Sequence, residues 1–196
     1  MESGLTRWWW IRHAPVAAEA GIIVGALDLP CRAPDPARLA ALSRVLPADA
    51  VVVTSGLVRC TATAAALGLA GPAEPALAEQ HFGAWQGRAW TDLPAAETAG
   101  FWPDPAGTRP PGGESFADQV ARVKEAVGRL TAAHDGRDIV AVAHAGTIRA
   151  ALVLALGLED RPAAALSFAV DPLSLTRIDL MAGGAAVRTV NWSPEP

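Results

Sequence analysis

The sequence predicts an α/β protein: three layers (α/β/α) around a mostly parallel central sheet, with a C-terminal antiparallel hairpin and a lid segment. Three observations predict it. Trp8–Ile11, Val51–Val53 and Ile139–Ala143 are solid apolar runs without alternation, the pattern of strands buried on both faces. Each run is followed by a helix signal, so helical crossovers should make the strands parallel. Leu173–Leu180 and Ala185–Asn191 instead alternate, and Ala182-Gly183-Gly184 joins them as a hairpin.

The elements follow in order. After the tryptophan-rich strand comes a loop, Ala14–Pro34, and Asp35-Pro36 then opens a helix with an N-cap and a proline at N1. Leu39, Leu42, Val45 and Leu46 supply its apolar stripe. Thr54-Ser55 ends the second strand, and a helix runs through Arg59 and Ala64 to Gly68. Residues 71–113 lack sustained periodicity and are rich in Pro, Gly, Trp and Glu, which marks the lid segment. Ser115 is the N-cap of the clearest helix, with Asp118 three residues on and Phe116, Val120, Val123, Val127 and Leu130 at helical spacing. Gly136 ends it, the third strand runs into His144-Ala145-Gly146, and a helix from Thr147 to Leu156 closes at Gly157. No repeat or linker divides the chain, so residues 1–196 read as one domain.

Composition narrows the function. Apolar residues are 51% and charged residues 18%, a globular balance. A net charge of −4 gives no basic footprint for nucleic acid. All but one of the basic residues are arginines, which suit forked recognition of phosphate or carboxylate and equally reflect a compositional bias. Two cysteines, Cys31 and Cys60, fit a reduced, cytoplasmic protein. Arg12 and His13 interrupt the apolar N-terminal run, and Ala150–Leu158 is too short for a bilayer, so no membrane association is expected.

The strand ends carry the chemistry. Arg12-His13, Thr54-Ser55 with Arg59 one helical turn on, and His144 should converge along one edge of the sheet, where open α/β folds place ligands. Two guanidiniums fork onto phosphate oxygens, and a neutral imidazole is a competent nucleophile toward phosphorus. Neighbouring arginines would keep that imidazole unprotonated. His144 and the Ala145 backbone N–H at the following helix start would hold an equatorial oxygen. A proton donor for the leaving alcohol is still required, and a carboxylic acid within residues 71–113 is the place to look.

At these residues the chain resembles the histidine phosphatase superfamily, also called phosphoglycerate-mutase-like. Arg12-His13-Ala14 matches its Arg-His-Gly motif with Ala for Gly, and Ser55-Gly56-Leu57-Val58-Arg59 with Thr63-Ala64 matches a second element. Leu77, Glu79, Phe82, Gly83, Trp85 and Gly87 match a third; Gly112–Phe116 and His144–Arg149 match the later ones. The resemblance implies a His13 nucleophile, a phosphate pocket completed by Arg12, Arg59 and His144, and Glu79 as proton donor. It implies no cofactor, no metal and a small-molecule phosphomonoester substrate. The branch it is most similar to is the small α-ribazole-phosphate phosphatases of cobalamin synthesis. Relatives often carry Asn where Glu19 stands, and that branch often has Asp at His81 and Glu at Gln86.

Several residues admit two readings from sequence. His81 lines the pocket or faces solvent, and His134 is read as a surface residue near a helix C-terminus. Trp85, Trp90, Phe101 and Trp102 form either a lid that stacks on a ring-bearing substrate, with Trp85 a binding residue, or a small core under a long loop. A phosphoglycerate mutase would need more cations than Arg88 and Arg109 offer in the lid. A metallohydrolase lacks supporting His spacing, and a phosphate-binding module would be expected to lose His13 or Glu79. The sequence names neither the leaving group nor the oligomeric state, a homodimer being one option.

Overall fold

A computed structural model describes residues 4–193. The strands are β1 (Thr6–Arg12), β2 (Val51–Thr54), β3 (Asp138–Ala143), β4 (Leu175–Met181) and β5 (Gly184–Trp192). The helices are α1 (Pro36–Ser43), α2 (Val58–Ala66), α3 (Ala95–Thr98), α4 (Phe116–Ala133) and α5 (Ala145–Leu156). The sheet order is β2-β3-β1-β4-β5; β2, β3 and β1 are parallel, and β4 and β5 form the antiparallel hairpin. Helices α4 and α5 cover one face and α1 and α2 the other, so the expected three layers are present.

Side-chain alternation divides the tryptophan run between the two faces. Trp8 and Trp10 are buried under α4 and α5, with rings stacked 4.8 Å apart, and the Trp8 indole donates to Thr131 Oγ1. Trp9 points to the other face and is only half-buried, which corrects the reading of full burial on both sides. Its indole donates to Asp138 Oδ1 at 2.8 Å, and the Arg177 guanidinium lies 4.5 Å over the ring. Polar partners satisfy an indole at the sheet surface, so its presence in an apolar run does not require a dry environment.

Helix boundaries follow their caps. Asp35 accepts from the Ala37 N–H as α1 starts, but α1 stops at Ser43 and leaves Val45 exposed, shortening the expected stripe. Ser115 and Asp118 form a reciprocal capping box at α4. Helix α5 begins at Ala145, two residues before the expected start, so its first turn lies directly beside the end of β3. Strand β4 begins at Leu175, and Leu173 sits outside it with φ 59°.

The lid segment contains three short 3₁₀ turns and α3 rather than long elements. Ile23 of the loop after β1 joins Trp85, Leu93 and Phe101 of this segment in a separate small core, flanked by Phe82 and Trp90. Arg122 of α4 fastens the segment's start. Its guanidinium donates to both Glu114 carboxylate oxygens and to the carbonyls of Ala76 and Glu79. Among the described residues no helix is long and apolar enough to cross a membrane.

Candidate active site

The C-terminal ends of three parallel strands meet as expected. The His13 N–H donates to Ala143 O at 3.0 Å and the Ser55 N–H to Val142 O at 3.3 Å, which places the polar residues that follow β1, β2 and β3 side by side. A cleft of about 350 Å³ opens over them, and Arg12, His13, Glu19, Arg59 and Glu79 are in its wall.

His13 is set up by its own neighbour. Its Nδ1–H donates to the Ala14 carbonyl at 2.7 Å, because a carbonyl can only accept. The neutral ring therefore keeps the Nε2 lone pair free. Burial pushes the His13 pKa down to about 3; the Ala14 hydrogen bond opposes this, and the charges of Arg59 and Arg12 add to it. Thr63 fixes the Ala14 backbone in turn: its hydroxyl accepts from the Ala14 N–H at 2.9 Å and donates to Arg59 O at 2.7 Å.

Arg59 is buried at the start of α2 and held from three directions. Its Nη1 donates to Leu27 O at 2.6 Å, its Nη2 to Gly25 O at 2.8 Å and its Nε to His144 Nδ1 at 3.2 Å. Gly25 has φ 49°, and a Cβ there would crowd the Gln86 amide and the Gln80 carbonyl, so the carbonyl that grips Arg59 sits where only glycine is comfortable. Arg12, also in the cleft wall, donates from Nη1 to Val170 O at 2.6 Å. Desolvation lowers the pKa of both guanidiniums, but from a value so high that they remain cations.

His144 is fully buried beside His13, with ring centroids 5.0 Å apart. Because Arg59 donates to its Nδ1, the neutral ring carries its proton on Nε2 and donates to Ser55 Oγ at 2.8 Å. Desolvation first, then the Arg59 charge, holds its pKa well below the usual histidine value. In this arrangement His144 orients Arg59 from behind, rather than presenting a free nitrogen to the cleft as the sequence suggested. Cys60, also against His144, is buried and its thiol pKa is pushed up to about 12, chiefly by desolvation.

Glu79 reaches the same cleft from the lid. Its carboxylate accepts from the backbone N–H groups of Gln80 and Gly146 and from the Gln119 amide. A Cβ at Gly146 would run into the Glu79 carboxylate and the Gln119 amide, so glycine permits this approach to the α5 N-terminus. Glu19 is exposed at the mouth of the cleft and lines it. Ala145 opens the first turn of α5 next to this group.

Two further readings are decided by the structure. Trp85 does not reach the cleft: it is 1% exposed, and its indole donates to Glu97 Oε2 within the lid core. The small-core reading therefore holds for Trp85, while Phe101 belongs to that core and also lines a smaller neighbouring cleft, and Trp102 is exposed. His81 is exposed, outside the cleft wall, and its Nδ1 accepts from the Gly83 N–H. Sequence reasoning also passed over Thr63, Gln119 and Gly146 as supports. Thr63 and Gly146 lie inside motifs already singled out, whereas the Val170 carbonyl carries no side-chain signal at all.

Residues 8–193 match the profile of the histidine phosphatase superfamily, branch 1. The chain belongs to this superfamily. A bifunctional protein of Mycobacterium tuberculosis is 32% identical over 149 residues, 72% of this chain; the match spans only 40% of that relative's length. Two solved structures of similar size superpose closely. The α-ribazole phosphatase of Shigella flexneri has a TM-score of 0.81 at 27% identity, covering 95% of this chain and 96% of that one. A mycobacterial glucosyl-3-phosphoglycerate phosphatase also has a TM-score of 0.81 at 27% identity, covering 96% and 100%.

Proposed function

We propose that the protein hydrolyses a small phosphomonoester through a phosphohistidine at His13, without a metal ion. The observation that carries this is the His13 Nδ1–H···O Ala14 hydrogen bond, which aims a neutral ring's Nε2 lone pair into a cleft flanked by two cations. In the first step Nε2 attacks phosphorus, the P–O bond to the alcohol breaks, and Glu79 gives its proton to the departing oxygen. Water then attacks the phosphohistidine. The N–P bond breaks, phosphate leaves, and the water's proton returns to Glu79.

Arg12 and Arg59 supply the positive charge that a metal would otherwise bring to the phosphoryl oxygens. Among the described residues the Arg12 guanidinium donates only through Nη1, to Val170 O, which leaves Nη2 for an anion. Glu19 at the mouth disfavours a second phosphate, which supports hydrolysis of monophosphates over mutase chemistry. Likeness to an α-ribazole phosphatase makes α-ribazole 5′-phosphate the first substrate to try. With Trp85 sealed in the lid, a ring would meet Phe82 and Phe101 instead.

Rapid-quench labelling tests the reading. A substrate with labelled phosphate should give an acid-labile, base-stable phosphoprotein that His13→Ala lacks. Activity lost to a chelator and restored by a divalent ion would overturn it.

A further inference from the structure

A second cleft of about 160 Å³ lies on the other side of Glu79, walled by Phe82, Phe101, Phe116, Leu166 and Arg149. Glu79 lines both clefts, so it stands between the phosphoryl pocket and this space. If Glu79 protonates the leaving oxygen, the alcohol must depart on the Glu79 side, and the second cleft adjoins that side. Its walls are mostly aromatic and aliphatic. Arg149 is the cation among them.

The direction of Arg149 is fixed by the loop after the last 3₁₀ turn. Its Nε–H donates to Phe168 O at 3.0 Å, and among the described residues this is its only side-chain hydrogen bond, leaving both Nη groups for a ligand. Two residues further on, the Val170 carbonyl holds Arg12. One short stretch of backbone therefore orients a cation for each cleft.

We infer that the second cleft is a leaving-group subsite, and that Arg149 selects phosphomonoesters whose alcohol carries a carboxylate on a flat apolar frame. A planar carboxylate matches the guanidinium fork. A tetrahedral phosphate is bulkier and would fit less well in a small space walled by flat rings. The neutral ring of α-ribazole would fill the apolar part and leave Arg149 unanswered. The inference rests on the phosphatase reading above.

The test compares 4-carboxyphenyl phosphate with its uncharged isostere, 4-carbamoylphenyl phosphate, in the wild-type protein and in Arg149→Met and Arg149→Lys. The expected result is a kcat/KM preference of about tenfold for the carboxylate in the wild type, falling to near unity in Arg149→Met and partly restored in Arg149→Lys. Taking the ratio of the two esters within each protein removes any general loss of activity or folding. Equal use of both esters by the wild type, or a ratio unmoved by Arg149→Met, overturns the subsite while leaving the phosphatase reading intact. Failure of the wild type to form phosphoenzyme from either ester overturns both.

Discussion

The backbone N–H of Gly146 donates to Glu79 Oε1 at 3.1 Å, so the proposed acid is tied to the first turn of the helix that follows His144. The bond exists because residue 146 lacks a side chain: a Cβ would occupy the carboxylate's place. Gly146→Ala should therefore displace Glu79 with little effect on the helix. An alkyl phosphate is expected to lose about 10–100-fold in kcat, the scale of a displacement near 1 Å. Steady-state kinetics beside a thermal melt would check this, and a large fall in Tm would instead indicate general damage.

Glu79→Gln separates proton donation from phosphate binding. Alkyl esters, whose alkoxides leave poorly, should slow by about 10²–10⁴-fold, and aryl esters with good leaving groups much less. Equal losses on both would remove Glu79 from the role of acid.

Arg59→Ala should impair both ester types by about 2–4 kcal/mol of lost oxyanion stabilisation. Arg59→Lys is expected to rescue little. A single ammonium cannot meet Leu27 O, Gly25 O and His144 Nδ1 in their fixed directions while also facing the cleft. Recovery to within a few-fold of wild type in Arg59→Lys would show that charge alone is what matters at this position.

Acid should destabilise the fold through its buried histidines. The unfolded chain takes up a proton on each near pH 6.5, whereas folded His13 resists protonation down to about pH 3 and His144 is shifted the same way. Between those limits the unfolded state binds more protons, so stability declines as pH falls from about 6.5. Urea unfolding at pH 7, 5.5 and 4 should show the decline, and His13→Gln should make it shallower. A slope identical in the variant would deny His13 any part.

Thr63→Val keeps shape and removes a hydroxyl that bridges Ala14 N–H and Arg59 O. The buried Ala14 N–H loses its partner, at a cost of about 1–3 kcal/mol. Phosphoenzyme formation should also slow, since the Ala14 carbonyl that sets the His13 tautomer loosens. Single-turnover measurements would separate this from a simple loss of folded protein.

Much of the architecture was legible because the sheet leaves local marks. The unbroken apolar run Ile139–Ala143 reports a strand covered on both sides, and Ser115 with Asp118 writes a helix start into four residues. Convergence of Arg12, His13, Arg59 and His144 followed from parallel pairing alone. What stayed hidden depends on distant contacts. Trp9 reads like its neighbours, and only Asp138 and Arg177 reveal its polar setting. Trp85 could not be assigned to substrate or core until Glu97 and Phe101 were placed around it. The direction of the His144 nitrogens depends on Arg59 and Ser55, 85 and 89 residues away. Val170 acts on Arg12 through a backbone carbonyl, to which sequence is nearly blind.

That last contact joins residues 158 apart in the chain, and β1 itself pairs with β3 and β4, both from the final third. The central strand thus leaves the ribosome before the other four strands of the sheet and is among the last to find its neighbours. A partly synthesised chain would expose the Trp8–Trp10 stack without the sheet or helices that cover it. It would also present Arg12 and His13 before anything fixes their direction. Anion-binding competence should therefore appear late and abruptly during synthesis, and the growing chain should depend on holding chaperones for longer than a protein whose first strand pairs locally.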